Sequence, residues 1–350
     1  MTAEEAGLEK YGWCAFFQSQ DAAGVVGRVA SANHGRFLVW TATGEVDASV
    51  SGVLRKSSTL WPAVGDWVLL REDGEAIAKV LERKTKLSRK QPEREVREQV
   101  LAANIDILFI VSGLDRDYNV RRIERFLVMA KESGARPVVL LNKVDLVEEL
   151  GLDLLVIVAQ TQQLSTGITV VPISALSDHG LDALPGLLAA GETAALIGSS
   201  GVGKSTILNR LHGEANQRTT PVRASDSRGR HTTTGRQLFV MPGGWLLMDL
   251  PGLREVQLWT TAEQLQESFD DINELAQKCR FRDCAHTGEP GCAVGAAAVE
   301  PARLANYLKM QCELAQLDRK MDRAFDPRLA RDSRKKTSGR SSRPQPKRGR

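Results

Sequence analysis

Short runs rich in β-branched and aromatic residues fill positions 24 to 90: Gly24–Ala30, Arg36–Trp40, Val50–Leu54, Trp67–Leu70 and Ala76–Leu81. Turn-forming residues separate them at Asn33-His34-Gly35, Gly65-Asp66 and Asp73-Gly74. Closely spaced short strands of this kind predict a small closed barrel. An oligonucleotide-binding (OB) barrel is the first expectation; an SH3-like barrel has the same periodicity and stays open. The residues before it, 1–20, read as a loosely ordered lead. Trp40, Trp61 and Trp67 could stack on bases, but tryptophans in a small barrel are expected in its core.

Beyond residue 100 the period lengthens. Ile105–Val111 is a continuous apolar run, the pattern of a strand buried on both faces. Residues 119–134 place Ile123, Phe126, Leu127 and Ala130 at helical spacing and close on Gly134. Val138–Leu141, Val170–Ile173, Ala194–Ile197 and Leu246–Met248 are further strand runs. Strand and helix in alternation predict a parallel sheet whose ligands bind at the carboxyl ends of its strands. After residue 260 the chain turns helical, with Leu265–Ala276 and Pro301–Met321; Leu304, Leu308, Cys312 and Ala315 form one stripe of the latter, so Cys312 is expected to pack. The expected organisation is therefore multidomain: an OB-like barrel with its lead over 1–95, an α/β domain over 96–262, a helical module over 263–325 and a disordered tail over 326–350.

Composition narrows this little, but charge does. The net +4 is concentrated at the end, where Arg328–Arg350 carries ten Lys or Arg against the single acid Asp332, which leaves the rest of the chain net acidic. A basic tail of that kind is either a solvated end or a nucleic-acid contact. The start, MTAEEAGLEKYGW, lacks a basic-then-apolar leader, and the apolar run Leu150–Ala159 is short and broken by Asp153, so neither secretion nor membrane insertion is expected. A cytoplasmic monomer is the simplest expectation. In that setting five cysteines, three of them between 279 and 292, point to metal rather than to disulfides.

The chemistry lies at the strand ends. Gly198-Ser199-Ser200-Gly201-Val202-Gly203-Lys204-Ser205 follows an apolar strand and precedes a helix (Ile207, Leu208, Leu211), the setting of a phosphate loop, and Thr206 is expected to bind nucleotide with it. Its backbone N–H groups would cradle an anion, Lys204 would reach the outer phosphates and Ser205 would ligate Mg²⁺. Asn142-Lys143-Val144-Asp145 leaves the strand Val138–Leu141. A carboxylate at 145 can accept from both N1–H and the exocyclic amine of guanine, which adenine does not offer. Asn142 would support the purine edge and neighbouring loops, and the stem of Lys143 would cover the ring. Ser174-Ala175 follows the next strand, where a backbone N–H would meet the base oxygen. Asp249-Leu250-Pro251-Gly252 would hold Mg²⁺ through Asp249 and the γ-phosphate through the Gly252 N–H. D-x-x-G occurs about once per chain by chance, so its weight lies in its place at a strand end. Between these stands Gly229-Arg230-His231-Thr232-Thr233-Thr234; a threonine there, taken as Thr233, would complete the Mg²⁺ shell. By itself this segment reads as an ordinary turn, and only the flanking motifs favour a switch.

The order is base reader, Ser-Ala, phosphate loop, threonine loop, D-x-x-G, whereas ordinary small GTPases begin with the phosphate loop. Over residues 24–325 the sequence resembles the ribosome small-subunit-dependent GTPase A family (RsgA, also called YjeQ), within the circularly permuted GTPases. The resemblance rests on PAVGDWV at 62–68, NKVD at 142–145, GSSGVGKS at 198–205, GRHTTT at 229–234 and the Cys/His cluster. It implies an OB barrel, a central permuted P-loop GTPase domain, a C-terminal zinc module, binding of GTP and GDP, and a role with the small ribosomal subunit and its rRNA in late maturation. Leu250 departs from the family's usual Thr. Leu253 stands where many GTPases place a water-orienting Gln and has no polar atom to do so, which makes His231, beside Lys204, the candidate catalytic group.

Cys279, Cys284, His286 and Cys292 follow the spacing C-x₄-C-x-H-x₅-C. Three thiolates and an imidazole would make a closed, structural Zn²⁺ set. Lys278, Arg280, Arg282 and Asp283 keep that loop polar, and the basic ones could touch RNA phosphates. Two rival readings remain open at this level: a nucleotide-gated RNA-binding scaffold, or a permuted GTPase serving a non-ribosomal RNA.

Overall fold

The computed structural model describes residues 7–20, 24–57, 60–71, 73–90, 98–115, 118–213, 236–250, 259–297 and 299–325. His231, Thr232–Thr234, Gly252, Leu253 and the basic tail lie outside them.

The lead is folded rather than loose over its described part. A 3-10 turn at Glu9–Tyr11 and the short helix α1 (Ala15–Gln18) bring Leu8, Trp13 and Phe17 against Trp67, Leu69 and Leu81 of the barrel. The apolar residues of the lead are too close together in sequence to show a period, and their partners lie some fifty residues on, so the packing is not visible locally.

The barrel follows. Strands β1 (Val25–Asn33), β2 (Arg36–Thr41) and β3 (Gly44–Val50) form an antiparallel meander, helix α2 (Gly52–Ser57) comes next, and β4 (Trp67–Leu70) and β5 (Ala76–Val80) complete it. β3 pairs in parallel with β5, β5 antiparallel with β4, and β4 returns to β1, which closes the ring. A closed 1-2-3-5-4 order with a helix between the third and fourth strands is the OB arrangement and removes the SH3-like alternative. The expected strand at Val50–Leu54 is replaced: the third strand ends at Val50 and α2 takes 52–57, its start tied by the Leu54 N–H donating to Ser51 Oγ. Trp40 and Trp67 are core residues as expected, but Trp61 is 49% exposed.

After a two-stranded pair, β6 (Lys86–Lys90) with β7 (Glu98–Ala103), the α/β sheet begins. Its elements are β8 (Ile107–Gly113), α3 (Val120–Ser133), β9 (Arg136–Asn142), α4 (Leu154–Gln162), β10 (Thr169–Pro172), β11 (Thr193–Gly198), α5 (Lys204–His212), β12 (Arg236–Val240) and β13 (Leu246–Asp249). The order is β10-β9-β8-β11-β13-β12, all parallel except β12. α3 starts where Asn119 Oδ1 accepts from the Arg122 N–H and stops at Gly134 in the left-handed region. Asp153, which interrupts the 150–159 run, caps α4 through the N–H groups of Leu155 and Val156. The core unites Phe109, Val111, Leu140, Ile173, Leu196, Ile207 and Leu247.

β12 has no counterpart in the sequence reading. It pairs with β13 on one side and with the end of β1 on the other, at Ser31↔Gln237 and Ala32↔Arg236, so barrel and α/β sheet share one run of hydrogen-bonded strands. Arg28 lies in the same join, 2% exposed. Its guanidinium donates to the carbonyls of Tyr11, Gly65 and Asn104 and to Thr193 Oγ1 of β11. Burial lowers its pKa to about 10, so it stays charged at neutral pH.

The C-terminal part is helical: α6 (Ala262–Ser268), α7 (Asp270–Ala276), α8 (Ala293–Ala296) and α9 (Pro301–Phe325). The single helix expected over 265–276 breaks at Phe269, whose buried ring lies 5.2 Å from the ring of Tyr307 and under the Arg303 guanidinium. The buried stripe of α9 is Tyr307, Met310, Leu314 and Leu317; Cys312 and Ala315 face outward, so Cys312 does not pack as expected. Among the described residues no helix is long and apolar enough to cross a membrane.

Arg28→Ala is expected to lower stability by at least about 3 kcal/mol, because it strands several buried acceptors at once. The check is urea unfolding of the full chain; a first transition at the wild-type midpoint would show that water replaces the guanidinium without loss.

Candidate nucleotide and metal sites

Parallel strands bring their carboxyl ends to one edge, and every described residue of the nucleotide motifs sits there. β9 ends at Asn142, the Ser-Ala pair follows β10, the phosphate loop follows β11, and Asp249 ends β13. Register does the rest: β11 lies between β8 and β13, with Leu196 opposite both Phe109 and Asp249.

The phosphate loop bends between β11 and α5 through left-handed residues at Gly201 and Gly203. Gly203 is needed for a second reason. A Cβ there would lie 2.3 Å from Asn142 Nδ2, so a side chain at 203 would push the base-reading loop away. Val202 is buried and anchors the loop, whereas Ser200, Gly201, Ser205 and Thr206 are exposed along its mouth. Lys204 folds inward, its Nζ donating to the carbonyls of Gly198 (3.0 Å) and Ser199 (2.8 Å). That places a buried cation against the carbonyls at the start of the phosphate loop.

Asp249, also buried, lies close enough to this cation for the two charges to interact. Burial raises the pKa of Asp249 and lowers that of Lys204, and in each case the charge of the other opposes the shift. Both charges are thus held at a desolvation cost that a Mg²⁺–polyphosphate pair would offset from both sides. The donor set fits such a cation, with a hydroxyl at Ser205 and a carboxylate at Asp249 as hard oxygen ligands. Leu250, next in the chain, is buried.

Asn142 links three motifs. Its Oδ1 accepts from the Ala175 N–H (3.0 Å) and its Nδ2 donates to the Val202 carbonyl (2.8 Å). Asp145 is exposed, with its carboxylate oriented by the Ser174 hydroxyl, which donates to Oδ1 and accepts in turn from the Ser177 N–H. Val144 N–H donates to the Ile173 carbonyl, which fixes the base-reading turn to the strand before Ser174. Lys143 reaches back to the phosphate loop, donating to the Gly201 carbonyl (3.1 Å), and pairs with Asp115. Asp115 was missed by sequence reasoning, since an acid in the loop after β8 belongs to no motif.

In the helical part, Cys279, Cys284, His286 and Cys292 place one ligand atom each within 4.8 Å of one another. Cys279 Sγ and Cys292 Sγ are 4.0 Å apart, and each is 3.6 Å from His286 Nδ1. A tetrahedral Zn²⁺ with bonds near ~2.3 Å to sulfur has edges of roughly 3.8 Å, so the four atoms fit that ion. The N–H groups of Ala293 and Gly295 donate to the sulfurs of Cys279 and Cys292, as thiolate ligands require. Glu289 ties the knuckle by accepting from the N–H groups of Ala285 and Thr287, and its own backbone N–H, with those two bonds, holds its carboxylate down to about 2.

Comparison with known proteins agrees with this layout. The RsgA GTPase family profile matches residues 80–259. A curated protein of Opitutus terrae, named small ribosomal subunit biogenesis GTPase RsgA, is 43% identical over 328 residues, covering 88% of this chain and 87% of its own length. Its namesake from Methanosarcina acetivorans is 42% identical over 306 residues, covering 85% and 82%. Among solved structures, YjeQ from Thermotoga maritima superposes with a TM-score of 0.60 at 27% identity, over 83% of this chain and 98% of that one. YloQ, described as a circularly permuted GTPase, shares the fold with a TM-score of 0.56. Motif order, strand-end geometry and identity across most of the length lead to one assignment: the chain belongs to the RsgA GTPase family.

Proposed function

We propose that the chain binds GTP at the strand-end site of its permuted α/β domain and hydrolyses it in the service of small-ribosomal-subunit maturation. The observation that carries this reading is the convergence of Asp145, Asn142, the phosphate loop and Asp249 on one sheet edge, in a chain whose relatives are named for that activity.

In this reading Asp145, aimed by Ser174, accepts from N1–H and N2–H of guanine, and the Ala175 region supplies a backbone N–H to the base oxygen. Gly198 to Ser205 wrap the phosphates. Lys204 leaves its own loop carbonyls for the outer phosphate oxygens, where charge builds as the terminal phosphoryl group departs. Ser205, Asp249 and Thr233 would hold Mg²⁺, which would supply positive charge to the phosphates, and the Gly252 N–H would meet the γ-phosphate. His231 orients the attacking water, a task for which the Leu253 side chain has no polar atom. GDP and inorganic phosphate are the products.

The Cys279–Cys284–His286–Cys292 set would hold one zinc ion, which would cross-link the knuckle between α7 and α8 and supply no reaction chemistry. The OB barrel, the zinc knuckle with Lys278, Arg280 and Arg282, and the basic tail each suit contact with rRNA. The protein acts in the cytoplasm as a monomer, with domain limits near residues 95, 262 and 325.

Three outcomes test this. Asp145→Asn should cut the preference for GTP over ATP by roughly 10²- to 10⁴-fold, the worth of two charge-assisted bonds, and turn the site toward xanthine nucleotides; unchanged selectivity in competition binding refutes the base reader. Single-turnover GTP hydrolysis should accelerate on titration with purified small subunits but not large ones, and His231→Ala should abolish that acceleration while leaving GTP affinity intact. A flat response to small subunits, or equal acceleration by unrelated RNA, would remove the ribosomal assignment. Finally, purified protein should carry one zinc per chain by elemental analysis, and Cys292→Ser should lose it along with the helical signal of the C-terminal part; full retention of that signal after chelation would refute a structural zinc.

A further inference from the structure

Strand register brings an acid to the base-reading loop that no motif contains. β8 and β9 run parallel with Gly113 opposite Asn142, and the Leu114 N–H donates to the Asn142 carbonyl at 2.7 Å. Asp115 therefore emerges beside Lys143, and Lys143 Nζ donates to its Oδ2. The same ammonium donates to the Gly201 carbonyl of the phosphate loop at 3.1 Å. Both partners of the ion pair are about three-quarters covered, with side-chain exposures of 27% and 25%, so the pair is shielded from bulk water far better than a surface bridge.

Two further features fix the lysine along its whole length. Its backbone is in the left-handed region, at φ 69°, where non-glycine residues are uncommon. Its methylenes pass over Gly113, where an added Cβ would sit 3.4 Å from Lys143 Cδ and Cε and 3.1 Å from Asp115 Oδ1. A free lysine side chain loses more rotamer freedom on ordering than almost any other. Here that freedom is already removed at the backbone, the stem and the charge.

We propose that Asp115 is a positioning residue for guanine-nucleotide recognition: by clamping the Lys143 ammonium against the phosphate loop, it presents the lysine stem as a fixed wall for the purine face. Asp115 touches no nucleotide atom in this role and acts through Lys143. The inference rests on the reading of Asn142–Asp145 as the base reader.

The test is the affinity of the full-length protein for N-methylanthraniloyl-GDP, by fluorescence, for wild type, D115N, K143M and the double variant. D115N should raise Kd about tenfold, the cost of ordering a freed lysine. On the K143M background the same change should alter Kd less than twofold, because its only route to the nucleotide is gone. Competition by inorganic tripolyphosphate, which has no base, should be unchanged by D115N; a general distortion of the phosphate loop would weaken it in step. D115E, which keeps the charge and shifts it by one methylene, should fall between wild type and D115N, and it decides the matter if D115N melts early in thermal unfolding without nucleotide. A D115N Kd within twofold of wild type, additive losses in the double variant, or parallel loss of tripolyphosphate binding would each overturn the proposal. D145N separates this from the underlying reading: if it leaves guanine preference intact, the base reader itself is wrong, whereas a lost preference beside an unaffected D115N rejects the role of Asp115 alone.

Discussion

One carboxamide sets the terms for the nucleotide site. Asn142 accepts from Ala175 N–H and donates to the Val202 carbonyl, and with its side chain buried neither bond has water as a substitute. Each such bond is worth only about 1 kcal/mol net, but a buried group left unmatched costs about 1–3 kcal/mol. Only a side chain with a donor and an acceptor at this reach satisfies both. Aspartate would turn a second lone pair toward Val202, and leucine would strand both partners. The bare α-carbon of Gly203 leaves room for the amide nitrogen. Three stretches far apart in sequence are thereby held in one geometry, which is why the Asn of the tetrapeptide and the last glycine of the phosphate loop constrain each other.

That constraint is spatial and indifferent to chain order, and permutation is tolerated for this reason. β11 lies between β8 and β13, so the phosphate loop is flanked by the neighbour of the base-reading strand β9 and by the strand that ends in Asp249, wherever the chain begins. The electrostatics follow from the same layout. Lys204 and Asp249 are both buried, and burial moves their pKa values toward neutrality from opposite sides while each charge resists the shift of the other. A low-dielectric site with one fixed cation and one fixed anion is matched to a polyanion carrying a divalent metal, since each of its parts meets an opposite charge.

The fold and most of the site were legible because their signals are local. Buried parallel strands are continuous apolar runs, α3 announces itself with Asn119 and Gly134, and the motif residues stand at strand ends. What was not legible depends on partners distant in sequence. Leu8, Trp13 and Phe17 look like a loose lead until Trp67 and Leu81 are placed beside them. Val50-Ser51-Gly52-Val53-Leu54 has strand-like composition, but Ser51 caps a helix there. The stripe on α9 was misjudged because an apolar period gives the face only to within a residue; the buried set runs through Tyr307, Met310 and Leu314, which leaves Cys312 outside. Asp115 carries no motif and gains meaning only from the Gly113↔Asn142 register.

The least expected feature, β12, decides how barrel and nucleotide site relate. It is the edge strand of the α/β sheet on the side of Asp249, and it is also the partner of β1 at Ser31 and Ala32. β1 in turn carries Arg28, whose guanidinium reaches Thr193 at the start of the strand that leads into the phosphate loop. The barrel is thus linked to both strands that deliver phosphate-side groups, to β13 through backbone pairing with the intervening β12 and to β11 by a buried charge. Shifting β12 along β13 would exchange paired backbone groups for water at the β1 seam, and withdrawing β1 would leave Thr193, Asn104 and Gly65 without the cation they share. Barrel and sheet are therefore joined at this end by two different interactions, of which only the backbone pairing could re-form in a new register.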